Sequence, residues 1–410
     1  MTKFQTPRGT RDFLPQEMAR RRNVFRKIRK VYDSYGYGEV CTPAFEDFEL
    51  LAKKSGPEIE KEIYAFRDKS GRKLGLRFDP TVPICRIVAA NPALPRPIKF
   101  YYITNMWRYD RPGAGRFREF WQAGVELIGS DRPEADAEIL ATVYEILKAA
   151  GAKNFYFRIN SRKVVEAFAK QAGITGKKKA DVFRAIDKLD KIGEKGVMRE
   201  MKSYGIAAKP AEKFMKLIKS GSAPKEELKE LEEIKQIARA MGVDNIKIDF
   251  SVVRGIDYYT GFVFETIIKG SENLGSVAGG GRYDSLIGLY SGADTPATGY
   301  GIGIDRLMEA LDNKEDTTPV KTYVIPVTEA VRDKSMETAK KLRKSGISAD
   351  TDLMGRNLKR QLEYADAAGI PYAVIVGEKE LKKGKFVLKD MAKKTQKDMS
   401  ITQIIKVLGN

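Results

Sequence analysis

Apolar and polar positions follow two periods along this chain, and together they predict a protein of mixed helices and strands. An apolar stripe with helical spacing, including Phe25, Ile28 and Val31, predicts a helix over about residues 16–35. Alternating text rich in aromatic and β-branched residues, as in 260–268, predicts strands. The chain is therefore predicted to contain both helices and strands.

The distribution of these patterns predicts how the chain is divided. A length of 410 residues exceeds what one core usually supports, so more than one domain is expected. Lys/Glu-rich helical text over 173–242 interrupts the first part, and a polar, turn-rich linker follows at 312–319. We predict a catalytic domain over 1–315, interrupted by a helical insertion at 173–242, and a separate α/β domain over 320–410.

Composition narrows the possible chemistry. The chain contains no histidine and only two cysteines, which excludes Ser-His-Asp and Cys-His catalysis and any His-ligated metal site. Chemistry must then rest on carboxylates, arginines, tyrosines, backbone amides or a carboxylate-held Mg²⁺. Lys and Arg total 74 against 55 acidic residues, a formal charge of +19. This surplus favours a polyanionic partner such as nucleic acid, whereas the alternative is a merely solvated basic surface.

Targeting signals are not evident in the sequence. The start, MTKFQTPRGTRDFLP, carries basic residues without an apolar stretch behind them, and no run approaches the roughly 20 apolar residues of a membrane helix. Two cysteines are too few for a disulfide framework. We expect a cytoplasmic protein that does not span a membrane.

Two neighbouring segments, VRGIDYYTGFVFE at 253–265 and SVAGGGRYD at 276–284, combine glycine, arginine and tyrosine. Glycines allow close approach of a ligand, while arginines and tyrosines supply donors and ring faces. We interpret them as walls of one pocket for a polar ligand with a ring. The alternative is a twisted edge hairpin with solvated polar residues.

These segments resemble the two signature segments of histidyl-tRNA synthetase, a class II aminoacyl-tRNA synthetase. WRYDRPGAGRFREFWQAGVE at 107–126 is similar to the second class II motif, and TGYGIGIDRL at 298–307 to the third. The resemblance implies a class II antiparallel-sheet catalytic domain with a helical insertion, followed by a C-terminal α/β anticodon-binding domain. It also implies a homodimer, with Pro43 of the first motif at its interface.

The implied function is ATP-dependent activation of L-histidine to histidyl-adenylate and transfer to the 3′ end of tRNA(His). ATP would enter with Mg²⁺ as a substrate complex, and no protein-ligated metal is expected. The resemblance implies catalytic roles at the α-phosphate for Arg254 and Arg108, and contact of Arg111 and Gly113 with the tRNA acceptor end. The residues implied to bind ATP are Arg108, Asp110, Arg116, Phe120, Gln122 and Arg306.

The residues implied to bind histidine are Asp79, Thr81, Gln122, Glu126, Tyr258, Tyr259 and Tyr283. Glu126 and Tyr259 would bond the imidazole. Asp79 stands where relatives often carry glutamate, so its contact with the ammonium is expected to be longer or water-bridged. The alternative for Asp79 is a capping Asp-Pro turn.

Two other functions are possible at this stage. One is an inactive regulatory subunit, such as the paralogue that assists ATP phosphoribosyltransferase; the other is an RNA-binding protein without catalysis. Because the chain lacks histidine, a kinetic limb near neutral pH is expected to belong to the substrate imidazole. A desolvated carboxylate, a cysteine or the α-amino terminus are the competing sources.

Overall fold

The computed structural model describes residues 4–53, 57–176, 178–221, 223–255, 258–311 and 318–409. The chain forms two compact units. One comprises Met1–Asp12 with Val24–Asn313, and the other Phe13–Asn23 with Lys314–Asn410. Residues 312–317, and with them the predicted domain boundary at 315, lie outside the described residues. The grouping of Phe13–Asn23 with the second unit was not predicted.

The first unit is organised by a large mixed sheet and a small antiparallel one. Its strands are β1 (Gly38–Glu39), β2 (Phe45–Asp47), β3 (Ala65–Arg67), β4 (Lys73–Leu76), β5 (Ile98–Trp107), β6 (Glu119–Ile128), β7 (Phe155–Ser161), β8 (Ile246–Ile248), β9 (Phe262–Ile268), β10 (Ala278–Arg282) and β11 (Ala297–Gly303). The large sheet has the order β1-β5-β6-β11-β10-β9-β7-β8, and the small sheet has the order β2-β4-β3.

Pairing in the large sheet is antiparallel from β5 through to β7, with the short strands β1 and β8 joined in parallel at the two edges. This arrangement confirms the predicted antiparallel-sheet fold. It also makes the edge-hairpin alternative wrong, because β10 lies inside the sheet between β9 and β11. The glycine-rich strand therefore has backbone partners on both sides and a fixed register.

Helices of the first unit cover the sheet or extend from it. They are α1 (Pro15–Ser34), α2 (Phe48–Ala52), α3 (Pro57–Glu62), α4 (Thr81–Ala90), α5 (Pro133–Ala150), α6 (Arg162–Gln171), α7 (Lys178–Ile186), α8 (Leu189–Ser203), α9 (Ala208–Ser220), α10 (Lys225–Ala240), α11 (Gly288–Ser291) and α12 (Ile304–Ala310). α1 matches the predicted helix within one residue at each end; its first part is counted with the second unit.

The Lys/Glu-rich segment consists of α7 to α10, as its composition predicted. Its buried side chains, such as Phe183, Phe214 and Ile234, belong to the same hydrophobic cluster as Phe157 of the sheet. α10 packs against α5. The segment is therefore anchored by a shared core, and its α7–α8 junction is held beside the large sheet.

The second unit contains a sheet with the order β13-β12-β14-β15-β16. Its strands are β12 (Thr322–Pro326), β13 (Ala349–Thr351), β14 (Tyr372–Val376), β15 (Phe386–Asp390) and β16 (Thr395–Met399), and its helices are α13 (Arg332–Lys344), α14 (Leu358–Ala367), α15 (Glu378–Leu381) and α16 (Ile401–Gly409). β12, β13 and β14 are parallel, as expected where helices connect successive strands. The Asn357 side chain caps α14 by accepting from the Arg360 amide.

Candidate functional site

A cavity of about 1200 Å³ lies in the first unit, and the predicted site residues converge on it. Of those residues, Arg111 is exposed and does not line the cavity. The others do, although they come from widely separated parts of the chain: Asp79, Thr81, Arg108, Asp110, Gly113, Arg116, Phe120, Gln122, Glu126, Arg254, Tyr258, Tyr259, Tyr283 and Arg306. Ile256 and Asp257, within the first signature segment, lie outside the described residues.

Glycines on β11 make room for the polar side chains of β6. Gly299 pairs with Glu126, and a Cβ on Gly299 would collide with the Glu126 carboxylate. A Cβ on Gly301 would likewise collide with the Gln122 side-chain amide. The glycine-spaced third motif therefore has a direct structural reason, since larger residues would displace two cavity-lining groups.

Glu126 lies at the closed end of the cavity. It is 1% exposed, accepts a hydrogen bond of 2.7 Å from Thr81 Oγ1 and accepts another from the Tyr283 hydroxyl. Burial raises the pKa of Glu126 to about 8, and the charge of Asp79 adds to this effect although the two hydroxyls oppose it. The carboxyl group thus titrates near neutral pH in the unliganded protein.

Asp79 joins this group through both of its oxygens. Oδ1 accepts from the Thr81 amide at 2.7 Å, while Oδ2 accepts from the Tyr258 hydroxyl at 3.0 Å. The turn interaction offered as an alternative is therefore present, together with a position on the cavity wall. The Tyr258 ring centroid lies 4.8 Å from that of Tyr259 and 5.9 Å from that of Tyr283. Three tyrosines and two carboxylates form this end of the cavity.

Arginines dominate the other end of the cavity. Arg306, in the first turn of α12, donates to the Ser276 carbonyl at 2.8 Å and to the Gly115 carbonyl at 3.4 Å. Burial and the charges of Arg116, Arg108 and Arg254 together lower the pKa of Arg306 to about 10. Four guanidinium groups that repel one another provide a site for a polyanion.

The backbone of Arg254 is in an unusual conformation. Its φ of +60° is in the left-handed region, which residues with a side chain seldom adopt. Nη1 donates to Glu265 Oε1 at 2.9 Å, and Gly279 leaves room for the guanidinium because a Cβ there would lie 2.6 Å from Nη1. Burial would lower the pKa of Arg254, but the charges of Tyr259, Glu265 and Asp187 raise it above its ordinary value. Arg254 therefore remains a cation.

Arg108 and Arg116 are held near the loop of the second motif. Arg108 Nε donates to the Phe78 carbonyl at 3.1 Å, and its guanidinium lies 5.5 Å from the Phe120 ring centroid. Arg116 pairs with Asp110 at 3.3 Å. Gly113 and Arg116 exchange backbone hydrogen bonds, which close the loop between β5 and β6. The loop thus holds its arginines at the mouth of the cavity.

Several cavity residues were missed by the sequence analysis. Glu265 lies on the same face of β9 as Val263, two positions away. Once Arg254 was identified as a site residue, strand alternation could therefore have indicated Glu265 as its partner. Tyr102, which accepts from Gln122 Nε2 at 3.0 Å, was hidden in an aromatic-rich strand. Asp187 and Arg158 gave no local signal, because only the tertiary fold brings them to the cavity.

The described residues contain neither a membrane-spanning helix nor a cluster of metal-binding side chains. No helix among them is long and apolar enough to cross a lipid bilayer. Within the same ranges, no group of three or more acidic or cysteine side chains could hold a metal ion.

Comparisons with known proteins agree with this site. A family model described as histidyl-tRNA synthetase matches residues 9–307, and a model of an anticodon binding domain matches 321–410. The chain is 41% identical to the histidine–tRNA ligase of Pyrococcus furiosus, with 98% of each chain covered.

Solved structures give the same result. A histidyl-tRNA synthetase from Nostoc sp. PCC 7120 superposes with a TM-score of 0.86 at 29% identity, covering 100% of this chain and 99% of that one. A Bacillus halodurans protein titled as an ATP phosphoribosyltransferase regulatory subunit/histidyl-tRNA synthetase gives 0.75 at 26% identity, covering 89% and 97%. By its sequence and its fold, the chain belongs to the histidyl-tRNA synthetase family.

Proposed function

We propose that this chain activates histidine with ATP and transfers the histidyl group to tRNA, using the single cavity that joins the tyrosine–carboxylate end to the arginine end. The observation that carries this proposal is the convergence of the predicted histidine-binding and ATP-binding residues on one cavity. Adenylate formation requires the histidine carboxylate to meet the α-phosphate of ATP in line. A continuous cavity with opposite electrostatic character at its two ends suits that requirement.

Histidine would bind at the Glu126 end. Its ammonium group would contact Asp79, Thr81 and Gln122, which surround a compact polar pocket. Glu126 would accept a hydrogen bond from the imidazole and Tyr259 would bond the other ring nitrogen, because the hydroxyl of Tyr258 already donates to Asp79. A buried polar site of this kind disfavours amino acids that lack the matching nitrogens, since their binding would leave buried groups unpaired.

ATP would bind at the arginine end. Arg108 and Arg254 would contact the α-phosphate from opposite sides, while Arg116 and Arg306 would contact the distal phosphates. Asp110 and Phe120 would flank the adenine, and Mg²⁺ would enter with the triphosphate as part of the substrate. These fixed donors would stabilise charge that develops on the phosphate in the transition state without reorganisation of solvent.

The second step would use surfaces outside the pocket. Arg111 is exposed on the loop between β5 and β6, next to Gly113 at the cavity mouth, where both could contact the tRNA acceptor end. The domain over 320–410 would bind the anticodon, and the basic surplus of the chain would favour both contacts. We also propose a cytoplasmic homodimer with Pro43 at its interface.

Histidine-dependent exchange of labelled pyrophosphate into ATP tests the first step, and charging of tRNA(His) transcripts tests the second. The synthetase should give both activities. A regulatory subunit or a non-catalytic RNA-binding protein should give neither, although the latter would still retain tRNA. Exchange with another amino acid in place of histidine would refute the assignment of the pocket.

A further inference from the structure

Arg158 on β7 has a set of acidic and polar partners that the proposed chemistry does not use. Its Nε donates to Asp249 at 2.9 Å, its Nη2 donates to Ser251 Oγ at 2.8 Å, and its Nη1 pairs with Asp190. Asp190 belongs to the first turn of α8, in the Lys/Glu-rich segment of the chain. The side chain of Arg158 is 11% exposed and that of Asp190 is 65% exposed.

The guanidinium of Arg158 also faces Glu265, the carboxylate that binds Arg254. Arg158 pairs in register with Glu265 across β7 and β9, and its Nη1 lies 3.9 Å from Glu265 Oε2. The other oxygen of Glu265 accepts from Arg254 at 2.9 Å. Asp190, Arg158, Glu265 and Arg254 all line the cavity, and they form a continuous chain of alternating charge along its wall.

Asp187, a second carboxylate of the α7–α8 junction, lies close to Arg254. Asp187 lines the cavity, and its Oδ2 would lie 3.0 Å from a Cβ on Gly255, the residue after Arg254. Burial raises the pKa of Asp187, whereas the positive charge of Arg254 opposes that rise. The junction thus presents two acidic residues three positions apart, one toward Arg158 and one toward Arg254.

We propose that Asp190 and Arg158 are positioning residues, through which the α7–α8 segment controls the orientation of Arg254 during adenylate formation. This inference rests on the proposed function. While Asp190 holds Arg158 Nη1, Glu265 is left to bind Arg254. Loss of Asp190 leaves Arg158 with Asp249 and Ser251 and frees its Nη1 to shift toward Glu265, so that Arg158 and Arg254 compete for the Glu265 carboxylate. Arg254 is then held less firmly by Glu265.

The test compares Asp190→Asn with Asp190→Glu and with Glu194→Gln. Glu194 follows the kink at Gly193 in α8 and pairs with Lys219 on the surface, so its variant is a control for the loss of one exposed ion pair. Histidine-dependent pyrophosphate exchange is measured at saturating and at limiting substrate, and melting temperatures verify folding. Each variant is also made in a Glu265→Gln background, in which the chain of charges is already broken.

We expect Asp190→Asn to lower kcat by about 3- to 30-fold with little change in KM for histidine or ATP, since it disturbs a catalytic arginine rather than a binding contact. Asp190→Glu should restore part of the rate, and the loss should largely disappear in the Glu265→Gln background. A kcat equal to that of the Glu194→Gln control would overturn the inference, as would an undiminished loss in the Glu265→Gln background. Absence of exchange in the unmodified protein would instead refute the proposed function, and this inference with it.

Discussion

The carboxylate end of the cavity is more deeply buried than the arginine end, and burial shifts the pKa values of the two ends in opposite directions. At one end burial raises the pKa of Glu126 to about 8, and at the other burial lowers the pKa of Arg306 to about 10. Nearby like charges reinforce both shifts: Asp79 acts on Glu126, and Arg116, Arg108 and Arg254 act on Arg306. Each end therefore concentrates one sign of charge at a cost in solvation.

This contrast explains how one cavity can accept two different substrates in a fixed orientation. A ligand cation relieves the accumulated charge only at the carboxylate end, while a triphosphate relieves it only at the arginine end. Binding at either end moves the local pKa values back toward their ordinary range, so binding and relief of charge are linked. The reacting groups, a carboxylate and an α-phosphate, then meet between the ends. Orientation thus follows from charge distribution as well as from shape.

The largest effect on activity is expected from the removal of Arg254. Arg254→Ala should lower the rate of pyrophosphate exchange by about 10²–10³-fold, because a fixed donor to the transition-state charge is lost. The melting temperature should change little. Arg332→Ala, which removes a surface arginine of the second unit, is the control and should retain full activity. Near-normal exchange in a folded Arg254→Ala protein would remove this residue from the mechanism.

A smaller effect is expected at the carboxylate end. Glu126→Gln keeps the shape of the side chain but cannot ionise, so above pH 8, where the carboxyl of the unmodified protein is ionised, KM for histidine should rise roughly 10- to 100-fold. KM for ATP should stay near that of the unmodified protein. Glu329→Gln, an exposed substitution in the second unit, serves as the control. An equal rise in both KM values would show that the two ends are not separate binding regions.

The reciprocal substitution at the arginine end is Arg306→Lys. A lysine keeps the positive charge but loses the planar fork that bonds the carbonyls of Ser276 and Gly115 and would bind phosphate. KM for ATP should rise about five- to tenfold while KM for histidine is retained. Titration with ATP, followed by tryptophan fluorescence, would measure the affinity directly; unchanged affinity would contradict the assignment of Arg306 to the triphosphate.

The sequence was sufficient for the elements and for most of the cavity because its strongest signals are local. Alternation over 260–268 predicts a strand that matches β9 closely, and the apolar stripe over 16–35 predicts a helix that matches α1. Strand prediction is less exact where tertiary pairing decides the ends: the alternating pattern begins at 260, but β9 begins at Phe262.

The missed parts of the site are those that depend on three-dimensional proximity. The pairing of Arg158 with Asp190 joins residues 32 positions apart, and no local periodicity predicts it. The pKa of Glu126 depends on simultaneous burial and the neighbourhood of Asp79, whose sequence position is 47 residues away. Local patterns indicate which residues could react, whereas packing decides which of them have shifted pKa values.

The smallest expected effect is on the pH dependence of kcat/KM for histidine. In the free enzyme Glu126 loses its proton near pH 8, whereas the imidazole of free histidine does so near 6.5. If binding requires the ionised carboxylate and a neutral ring, kcat/KM for histidine rises with pH in two steps, at about 6.5 and at about 8. The structure therefore supplies the desolvated carboxylate that competes with the substrate as the source of a limb near neutrality.

A triazole analogue, whose ring is far less basic, should remove the lower step and leave the upper one. Glu126→Gln should remove the upper step and leave the lower one. Persistence of the upper step in Glu126→Gln would mean that another group titrates there, and persistence of the lower step with the analogue would assign it to the protein.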